Sequence, residues 1–544
     1  MKELSNLQKS SYGTDDVNYN PMNLMIKNYI NNNNKSEDFD EILIKDNNFE
    51  VFLNFSKTRQ SILNWYDFKE DADLLEIGGE FGALTGMLCE KCKSVTCIER
   101  DKLRAESILK RYENRNNLEL FNSVENIINF NKKYDYIVLI GTIELIENIE
   151  EYLKKIKGLL KSEGAILIAT ENRLGLKYFC GASYPTLENP FDGINKRFKK
   201  NGRTLYTKSE LENIIKSSGL KINKFYYPVP DYKFAQEIYS DTYLPKGALK
   251  ERIMPYYLNS KSLIADEMYL YDDIIENNVF EVFANSFLIE CREIDAECKI
   301  DYIAVSTDRK AENAYATVVY SNKTVKKKPL FSQGIQGIND SYNNIKELEL
   351  RGLNTVDTKI NNNELNMPFL KANTLSKVLQ NYIKYDRDKA LNLFECLYKD
   401  ILKSSEHVNP NLCYLNQFSK KTLDMGVILK HAYIDMVPVN CFYEYDKLIY
   451  FDQEFKMDYF PANYVMFRSI KYTYLTIKET DNIALSEGEL KDKYGLNNLW
   501  DFYESIDIKF VVENRQFKIY KNYLSWINVD QNIINQNSKL LTGI

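Results

Sequence analysis

The stretch Leu74–Thr85, LLEIGGEFGALT, decides the fold of the first half of the chain. Its first residues, from Leu74 to Ile77, form a short apolar run, which is typical of a strand covered on both faces. Glycines follow at once, and the residues after them begin a stretch with helical periodicity. A strand, a tight turn and a helix in immediate succession predict the beginning of an α/β domain.

The turn has the residues of a ligand-binding loop. Gly78, Gly79 and Gly82 allow positive φ and a close approach of the backbone, and the following helix would direct its free N–H groups at a ligand. Glu99 ends the next predicted strand, where a carboxylate can accept hydrogen bonds from two ribose hydroxyls. The glycines could equally form an ordinary strand-to-helix turn, so their spacing alone leaves both interpretations open.

Strands and helices alternate regularly after this turn. The predicted strands are 74–77, 94–98, 118–121, 135–140 and 164–169, and the predicted helices are 83–91, 101–113 and 150–160. Such alternation predicts a parallel, doubly wound sheet, whose ligands bind beyond the carboxyl ends of the strands. The glycine turn, Glu99, Asn122 and Gly141 all lie at those ends. Four independent positions therefore predict one cofactor site.

Size and charge limit the classes of protein that fit. The 544 residues are too many for one core, so we expect two or three domains. A net charge of −6 implies no broad basic face, and nucleic acid is not a favoured partner. The N-terminal residues lack the apolar core of a secretory signal, and no run approaches the ~18 to 20 apolar residues that span a bilayer. We expect a cytoplasmic protein.

The cysteines and histidines do not predict a metal site. Cys89 and Cys92 lie on a predicted helix and Cys97 lies on the next strand, with no second pair at zinc spacing. The histidines are His407 and His431 alone among the 544 residues. We expect buried free thiols.

The glycine spacing favours a methyl-donor site over a dinucleotide site. Glu76, Gly78 and Gly82 follow the pattern E-x-G-x-x-x-G, whereas dinucleotide-binding turns follow G-x-G-x-x-G. With the motifs LLEIGGEFGALTG, VTCIER and DYIVLIGTIELI, residues 55–240 resemble the class I S-adenosylmethionine-dependent methyltransferases. The resemblance implies a Rossmann-like, doubly wound α/β domain and S-adenosylmethionine as the cofactor, which has no pyrophosphate for a helix to bind.

By this resemblance the cofactor-binding residues are Glu76, Gly78, Gly79, Glu80, Gly82, Glu99, Asn122, Ser123 and Gly141. The residues from Glu76 to Gly82 would line the methionine end, Glu99 would bind the ribose, and Asn122 and Ser123 would lie beside the adenine. Glu80 departs from the family pattern, which has a glycine at this position. Its carboxylate could pair with the α-ammonium group of the donor, or it could crowd the site.

A leading segment indicates the kind of acceptor. It matches the pattern S-x-x-R-x-x-I-L-x-W with Ser56, Arg59, Ile62, Leu63 and Trp65. This pattern resembles that of methyltransferases from bacterial surface-polysaccharide clusters. The resemblance implies a glycan or lipid-linked glycan acceptor.

The residues after the fifth predicted strand offer polar groups to such an acceptor. Glu171, Asn172, Arg173, Asp192 and Arg197 supply charge and hydrogen bonding for a lid. The alternative is a solvated loop. The sequence identifies no base for methyl transfer.

A second constellation, HAYIDMVPVN followed by YFDQEF, lies in the second half of the chain. Asn440 follows Asp435 by five residues, and Asp452 follows Asn440 by twelve. Three predicted strands upstream, 302–306, 314–321 and 324–330, form an antiparallel meander. The arrangement resembles the protein-kinase-like fold, in which an H-R-D-x-x-x-x-N loop precedes a D-F-G strand.

The kinase resemblance implies a role for each polar residue. Asp435 would orient or deprotonate an acceptor hydroxyl, and Asn440 and Asp452 would hold Mg²⁺ against the phosphates of ATP, because oxygen ligands suit this ion. By strand alternation Lys327 is the ATP-binding lysine, with Glu347 or Glu349 as its partner. No glycine-rich loop lies between the first two strands, so a non-catalytic kinase fold is an alternative.

Together the motifs predict an N-terminal arm over 1–50, the methyltransferase domain over 51–295, and an α+β bilobal kinase-like domain over 300–544 with lobes at about 300–370 and 371–544. This order resembles bifunctional chain terminators of bacterial O-antigens. It implies an enzyme that phosphorylates and methylates a surface glycan at the inner face of the membrane, in peripheral contact with membrane-bound glycan assembly machinery. The alternatives are a methyltransferase with a non-catalytic, acceptor-binding kinase fold, and a non-catalytic scaffold. The sequence does not indicate the oligomeric state.

Overall fold

The computed structural model describes residues 20–33, 37–125, 132–183, 189–195, 203–247, 249–418, 423–477, 482–527 and 529–542. They fall into two compact units, the first made of Met1–Asp308 with Phe517–Ile544 and the second of Arg309–Gln516. The second unit is therefore inserted into the sequence of the first. The domain prediction assigns residues 300–544 to one kinase-like domain, whereas the chain after Gln516 returns to the first unit.

The first unit is built on a mixed sheet. Its strands are β1 Asp73–Ile77, β2 Ser94–Ile98, β3 Leu118–Phe121, β4 Tyr134–Ile140, β5 Leu160–Glu171, β6 Lys221–Val229, β7 Glu237–Ser240, β8 Ser286–Arg292 and β9 Ile300–Val305. Their order is β9-β7-β6-β8-β5-β4-β1-β2-β3. Strands β1 to β5 pair in parallel, and β8 runs antiparallel to both β5 and β6. This confirms the predicted Rossmann-like α/β fold, with the switch point beside β1.

Helices connect these strands. They span Thr85–Lys91, Lys102–Arg111, Ile149–Lys157, Leu176–Phe179, Lys208–Ser217, Tyr271–Glu276 and Phe280–Phe283. Side-chain caps fix where several of them begin. The Asp101 carboxylate accepts the Arg104 N–H at 2.9 Å, and Thr207 and Glu210 form a capping box. These caps fix the residue at which each helix begins and therefore where the preceding loop ends.

The N-terminal residues are more ordered than the predicted arm. Helices span Pro21–Asn32, Asp40–Lys45 and Phe49–Phe55, and residues 1–19 lie outside the described part. The third of these helices ends at Phe55, because the Ser56 hydroxyl accepts the Thr58 N–H and starts a 3₁₀ turn.

The C-terminal residues complete the first unit. Helices span Phe517–Trp526 and Gln531–Thr542. Ile519, Tyr520 and Tyr523 share a buried apolar cluster with side chains of the N-terminal helices. Burial of apolar area is the main favourable term in folding, which explains why these residues pack with the first unit.

The second unit begins with antiparallel strands. These are β10 Tyr315–Tyr320, β11 Thr324–Pro329, β12 Lys359–Asn361 and β13 Glu364–Pro368, in the order β12-β13-β11-β10. The helix Ile335–Leu350 packs on them. Predicted strands 314–321 and 324–330 correspond to β10 and β11.

The rest of the second unit is mainly helical. Its helices span Leu375–Tyr385, Arg387–Lys403, Ala462–Tyr474, Glu487–Lys493 and Trp500–Asn514. Two small sheets carry the polar motifs, β14 Asn373–Thr374, β17 Cys441–Glu444 and β18 Lys447–Tyr450 in one, and β15 His407–Val408, β16 Ile428–Tyr433 and β19 Lys456–Pro461 in the other. Among the described residues of both units, no helix is long and apolar enough to cross a membrane.

Candidate active sites

The glycine turn after β1 is tight and closely packed. Gly78 and Gly82 have φ of 82° and 81°, and the Gly78 N–H donates to the Ile98 carbonyl at the end of β2 at 2.9 Å. A Cβ on Gly78 would lie 2.7 Å from the Thr142 hydroxyl, and a Cβ on Gly79 would lie 2.5 Å from the Cys97 sulfur. No larger residue fits here without displacing its neighbours.

Glu99 is held in place by the backbone of this turn. Its Oε2 accepts the Glu80 N–H at 2.8 Å and its Oε1 accepts the Asp101 N–H at 2.9 Å. Burial raises the pKa of Glu99, and the two N–H donors oppose the shift. Each oxygen keeps a lone pair for a further donor, so a fixed carboxylate presents two acceptor positions at the end of β2.

Glu76 lies beneath the turn. It is 4% exposed and its Oε2 accepts a hydrogen bond from the Thr85 hydroxyl at 2.6 Å. Burial raises the pKa of Glu76 to about 7. The residue therefore anchors the turn to the following helix and changes its charge near neutral pH.

Glu80 adopts a backbone conformation that glycine prefers. Its φ is 50°, which costs a non-glycine residue on the order of 1–2 kcal/mol. Its carboxylate makes no hydrogen bond or ion pair with the described residues. Burial, followed by the charge of Glu80, raises the pKa of Glu50. No sequence pattern marks Glu50, whose carboxyl feels the charge of Glu80.

The remaining predicted residues lie at the same edge of the sheet. Asn122 and Ser123 follow β3, and Ile98 and Phe121 pair at the ends of β2 and β3. Gly141 follows β4 with φ of 73°. The structure thus brings the predicted cofactor residues together along the carboxyl ends of β1 to β4.

Two further groups approach this edge from other elements. A Cβ on Gly141 would lie 2.6 Å from the Tyr232 hydroxyl. The buried Arg59 guanidinium donates to the Tyr232 carbonyl at 3.2 Å and lies 5.4 Å from the centre of its ring. Arg59 belongs to the leading segment S-x-x-R-x-x-I-L-x-W, whereas Tyr232 belongs to no motif identified in the sequence.

A buried charge cluster closes the end of β5. We define it as Glu171, Lys177, Asp231 and Lys233. Lys177 lies 2.9 Å from Glu171 and 3.0 Å from Asp231, and Lys233 also pairs with Glu171. Burial alone would lower the pKa values of both lysines, but the carboxylates outweigh it and raise them. Both cations are therefore charged at neutral pH.

The other predicted lid residues have different roles. The Asn172 amide donates to two backbone carbonyls, those of Val282 and Ala284, and Arg173 pairs with Glu210. These contacts are structural. The side chain of Asp192 and residue Arg197 lie outside the described part of the chain.

The predicted polar residues of the second unit also come together. Lys327 forms ion pairs with Asp452 and with Glu454, and the Asn440 amide donates to the carbonyls of Asp435 and Asp452 at 3.3 and 3.4 Å. Burial would lower the pKa of Lys327, but the two carboxylates raise it well above its usual value.

The predicted lysine partner is wrong. Glu347 pairs with Lys456, and Glu349 pairs with Lys346. Both glutamates lie on the helix Ile335–Leu350, but their side chains engage other lysines. Lys327 pairs with Glu454 instead of with a glutamate of this helix. The sequence feature that could have indicated this partner is the position of Glu454 two residues after Asp452.

Asp435 lies at a cavity of about 310 Å³. Burial raises the pKa of its carboxyl to about 6, although Arg468 opposes the shift. The cavity is lined by Arg309, Asp435, Val437, Val439, Asn440, Asp452, Glu454, Phe455, Arg468, Tyr472, Phe510, Val511, Asn514 and Arg515. Its volume suits a small ligand.

Comparisons with known proteins agree with the architecture of the first unit. Residues 75–166 match the family model described as a methyltransferase domain. A ubiquinone biosynthesis O-methyltransferase of Rickettsia bellii (strain OSU 85-389) is 26% identical over 162 residues, covering 28% of this chain and 67% of that protein.

Similar solved structures are also methyltransferases. An S-adenosylmethionine-dependent methyltransferase from Clostridium acetobutylicum ATCC 824 is 14% identical with a TM-score of 0.28, covering 44% of this chain and 92% of that one. A second, from Aquifex aeolicus, is 15% identical with a TM-score of 0.25, covering 34% and 90%. With the family match and the sheet order, the conclusion is that the chain carries a class I S-adenosylmethionine-dependent methyltransferase domain.

The site fits the cofactor that this class uses. The glycine cradle would be filled by any Cβ at Gly78 or Gly79, and the fixed Glu99 carboxylate has acceptor positions left for a diol. The carboxylate of Glu80 suits a positively charged ligand. S-adenosylmethionine carries a ribose diol, an ammonium and a sulfonium, so each feature has a matching group.

Proposed function

We propose that the first unit transfers a methyl group from S-adenosylmethionine to an acceptor that enters beside the carboxyl ends of β4 and β5. The observation that carries this proposal is the anchored Glu99 carboxylate facing the glycine turn. When bound, the cofactor would supply an electrophilic methyl group for transfer to the acceptor. The protein has to bind both partners and place them in line.

Each side chain of the edge has a distinct part in this proposal. Glu99 accepts hydrogen bonds from the ribose, and Glu80 attracts the ammonium group. Arg59 is a buried cation near the glycine turn, with donors left over after its hydrogen bond to Tyr232, and it attracts the donor's carboxylate. Glu76 orients the turn through Thr85.

The acceptor would meet the charge cluster at the end of β5. Lys177 and Lys233 are paired there with Glu171 and Asp231, so the cluster offers an acceptor polar groups for hydrogen bonding rather than a net positive charge. We propose a bacterial surface glycan or its lipid-linked precursor, on the support of the leading S-x-x-R-x-x-I-L-x-W segment. Such an acceptor would place the protein in the cytoplasm near the inner face of the membrane, in peripheral contact with the glycan assembly machinery.

A second activity, phosphorylation of that glycan, is proposed for the second unit as a kinase-like domain. The specific support is that Asp435, Asn440 and Asp452 line one cavity and that Lys327 forms an ion pair with Asp452. Asp435 would orient the acceptor hydroxyl, and Lys327 would bind the phosphates of ATP.

Asn440 and Asp452 would hold Mg²⁺ in this domain. The Asn440 amide nitrogen is used by two carbonyls, which leaves its oxygen for a cation. The ion would supply charge stabilisation for the phosphates. Because Asp452 pairs with Lys327 here, metal binding has to compete with that ion pair.

Calorimetry with S-adenosylmethionine tests the proposal for the first unit. We expect the full chain to bind the donor and Glu99→Ala to bind it about tenfold or more weakly, because a charge-assisted hydrogen-bond acceptor is lost. The matched control is Glu113→Ala, an exposed glutamate paired with Lys110, which should bind normally. Absence of binding by the unmodified chain would favour a non-catalytic scaffold.

A labelled assay tests the second activity. We expect transfer of ³²P from ATP to envelope glycan extract in the presence of Mg²⁺, and its loss in Asp452→Asn. If Asp452→Asn leaves methylation of unphosphorylated glycan unchanged and no phosphate is transferred by the unmodified chain, the second unit is an acceptor-binding module instead.

A further inference from the structure

The C-terminal helix Phe517–Trp526 follows the second unit in sequence but packs inside the first. The Trp526 ring lies 5.4 Å from Phe49 and 5.3 Å from Phe52, both edge-on. The Tyr523 ring lies 5.7 Å from Tyr256. Aromatic pairs of this kind stabilise a contact beyond the burial of apolar area, so these rings hold the short helix against the first unit.

Hydrogen bonds tie the same helix to a neighbouring segment. The Tyr523 hydroxyl donates to the Met254 carbonyl at 2.6 Å and accepts from the Gln236 amide at 2.8 Å. The Tyr257 N–H donates to the Trp526 carbonyl at 2.8 Å. The helix therefore fixes the backbone on both sides of Tyr256.

Tyr256 in turn borders the charge cluster. Its hydroxyl donates to Asp231 at 2.8 Å, and Asp231 pairs with Lys177. Phe49, Tyr256 and Tyr257 line a cavity of about 30 Å³. The same cavity is lined by Glu171, Lys177 and Lys233, so residues that contact the C-terminal helix form one wall of the polar space at the end of β5.

We propose that the helix Phe517–Trp526 is a positioning element for the methyl acceptor, acting through Tyr256 and the charge cluster. The proposal rests on the function assigned above to the end of β5. The hydrogen bonds of the helix go to the segment around Tyr256, to Gln236 and to residues 43–47 of the N-terminal region. Glu99, the anchor of the cofactor turn, is held by its own backbone neighbours instead. Loss of helix contacts should therefore weaken acceptor binding more than donor binding.

Full-length variants test this separation. Trp526→Ala removes the ring contacts to Phe49 and Phe52, and Tyr523→Phe keeps the ring but removes the hydroxyl. The matched control is Leu540→Ala, an 81% exposed residue of the following C-terminal helix. Each protein is melted to show that it is folded, so Tyr523→Phe keeps the test valid if Trp526→Ala fails to fold.

Hydrogen exchange and kinetics give the readouts. We expect the Tyr257 amide to exchange about tenfold faster in Trp526→Ala, since its acceptor carbonyl is no longer held. For labelled methyl transfer to envelope glycan extract, we expect the apparent KM for the extract to rise about fivefold or more with kcat within about twofold. Donor affinity by calorimetry should match the control.

The outcomes separate this proposal from the function on which it rests. Equal exchange at Tyr257 in variants and control, or an equal loss of donor and acceptor affinity, overturns the positioning role. If the unmodified chain binds no S-adenosylmethionine, the proposed function fails, while the exchange result still decides whether the helix holds the Tyr256 segment. Faster exchange with an unchanged KM also contradicts the proposal.

Discussion

Glu80 combines backbone strain with a carboxylate that has no described partner. Replacement by glycine removes a strain of about 1–2 kcal/mol, part of which returns as the conformational entropy of glycine in the unfolded chain. We expect Glu80→Gly to be as stable as the unmodified protein or more stable by about 1 kcal/mol in urea denaturation.

The same variant should bind S-adenosylmethionine about tenfold more weakly by calorimetry, because a carboxylate that attracts the ammonium is lost. Glu80→Ala, which keeps the strain, should lose the same affinity without the gain in stability. Tighter binding by Glu80→Gly would mean that the carboxylate crowds the site, which is the other interpretation that its sequence left open.

Glu76 makes stability depend on pH. Its folded pKa of about 7 exceeds the ordinary value of 4.5 because the carboxyl is buried, so the folded state holds a proton that the unfolded state releases. The stabilisation that the protonated Glu76 contributes is fully present below about pH 4.5. It is lost as the pH rises through about 7, which lowers the free energy of unfolding by up to about 3 kcal/mol.

The substitution Glu76→Gln isolates this effect. It cannot ionise and it can still accept from Thr85, so its stability relative to the unmodified protein should rise between pH 5 and pH 8 in urea titrations, within the window that the pKa shift of Glu76 defines. Parallel stability curves for the two proteins across that range would contradict the assignment.

At the scale of the element, β11 shows how strand alternation selects one lysine. Lys327 is buried and pairs with the buried Glu454 and with Asp452, whose side chain is 35% exposed, whereas Lys326 pairs with the partly exposed Glu364. We expect Lys327→Met to lose about 3 kcal/mol of stability, because two carboxylates lose their buried partner, and Lys326→Met to lose less than about 1 kcal/mol.

Urea denaturation measures both stabilities, and fluorescence titration with an ATP analogue measures binding. Only the Lys327 variant should lose nucleotide affinity if the second unit binds ATP. The variant Lys327→Met with Glu454→Gln should recover part of the stability, since one uncompensated charge is removed.

Local sequence patterns predict the bounds of strands better than they predict which side chains form ion pairs. The strands β2 and β3 match their predicted bounds 94–98 and 118–121, because apolar runs between turn residues mark strands directly. The partner of Lys327 could not be obtained in this way. Spacing placed Glu347 and Glu349 on a helix, but which side chain reaches the lysine depends on packing between elements that are distant in sequence.

The candidate cofactor site was more accessible to sequence analysis than the acceptor side. Gly78, Glu99 and Gly141 each follow a strand, so topology alone brings them to one edge. No such topological rule brings the residues of the charge cluster together. Lys177 follows β5, but Asp231 and Lys233 come from a segment after β6. They reach Lys177 and Glu171, respectively, only through tertiary folding.

At the scale of the whole molecule, the first unit is discontinuous in sequence. Residues up to Asp308 and from Phe517 belong to it, with Arg309–Gln516 between them. Arg309 and Arg515 form an isolated antiparallel bridge, so the two ends of the inserted unit lie side by side. Insertions are tolerated where the chain enters and leaves at neighbouring points. The sequence carries no local mark of this return, because amphipathic helices look alike whichever core they cover.

This arrangement predicts that the first unit folds without the second and is destabilised when its C-terminal residues are removed. A protein in which a short Gly-Ser linker replaces Arg309–Gln516 should fold cooperatively and bind S-adenosylmethionine within about threefold of the full chain, because its two largest apolar clusters are formed by residues of the first unit alone. A protein that ends at Asp308 should melt at a lower temperature, and the amides of its N-terminal helices should exchange faster, because Tyr523 and Trp526 no longer cover Phe49 and Phe52.

Calorimetry, thermal melting and hydrogen exchange on the two proteins compare them directly. If the shorter protein equals the linked one in all three, the C-terminal helices are dispensable to the methyltransferase unit and the discontinuous description fails.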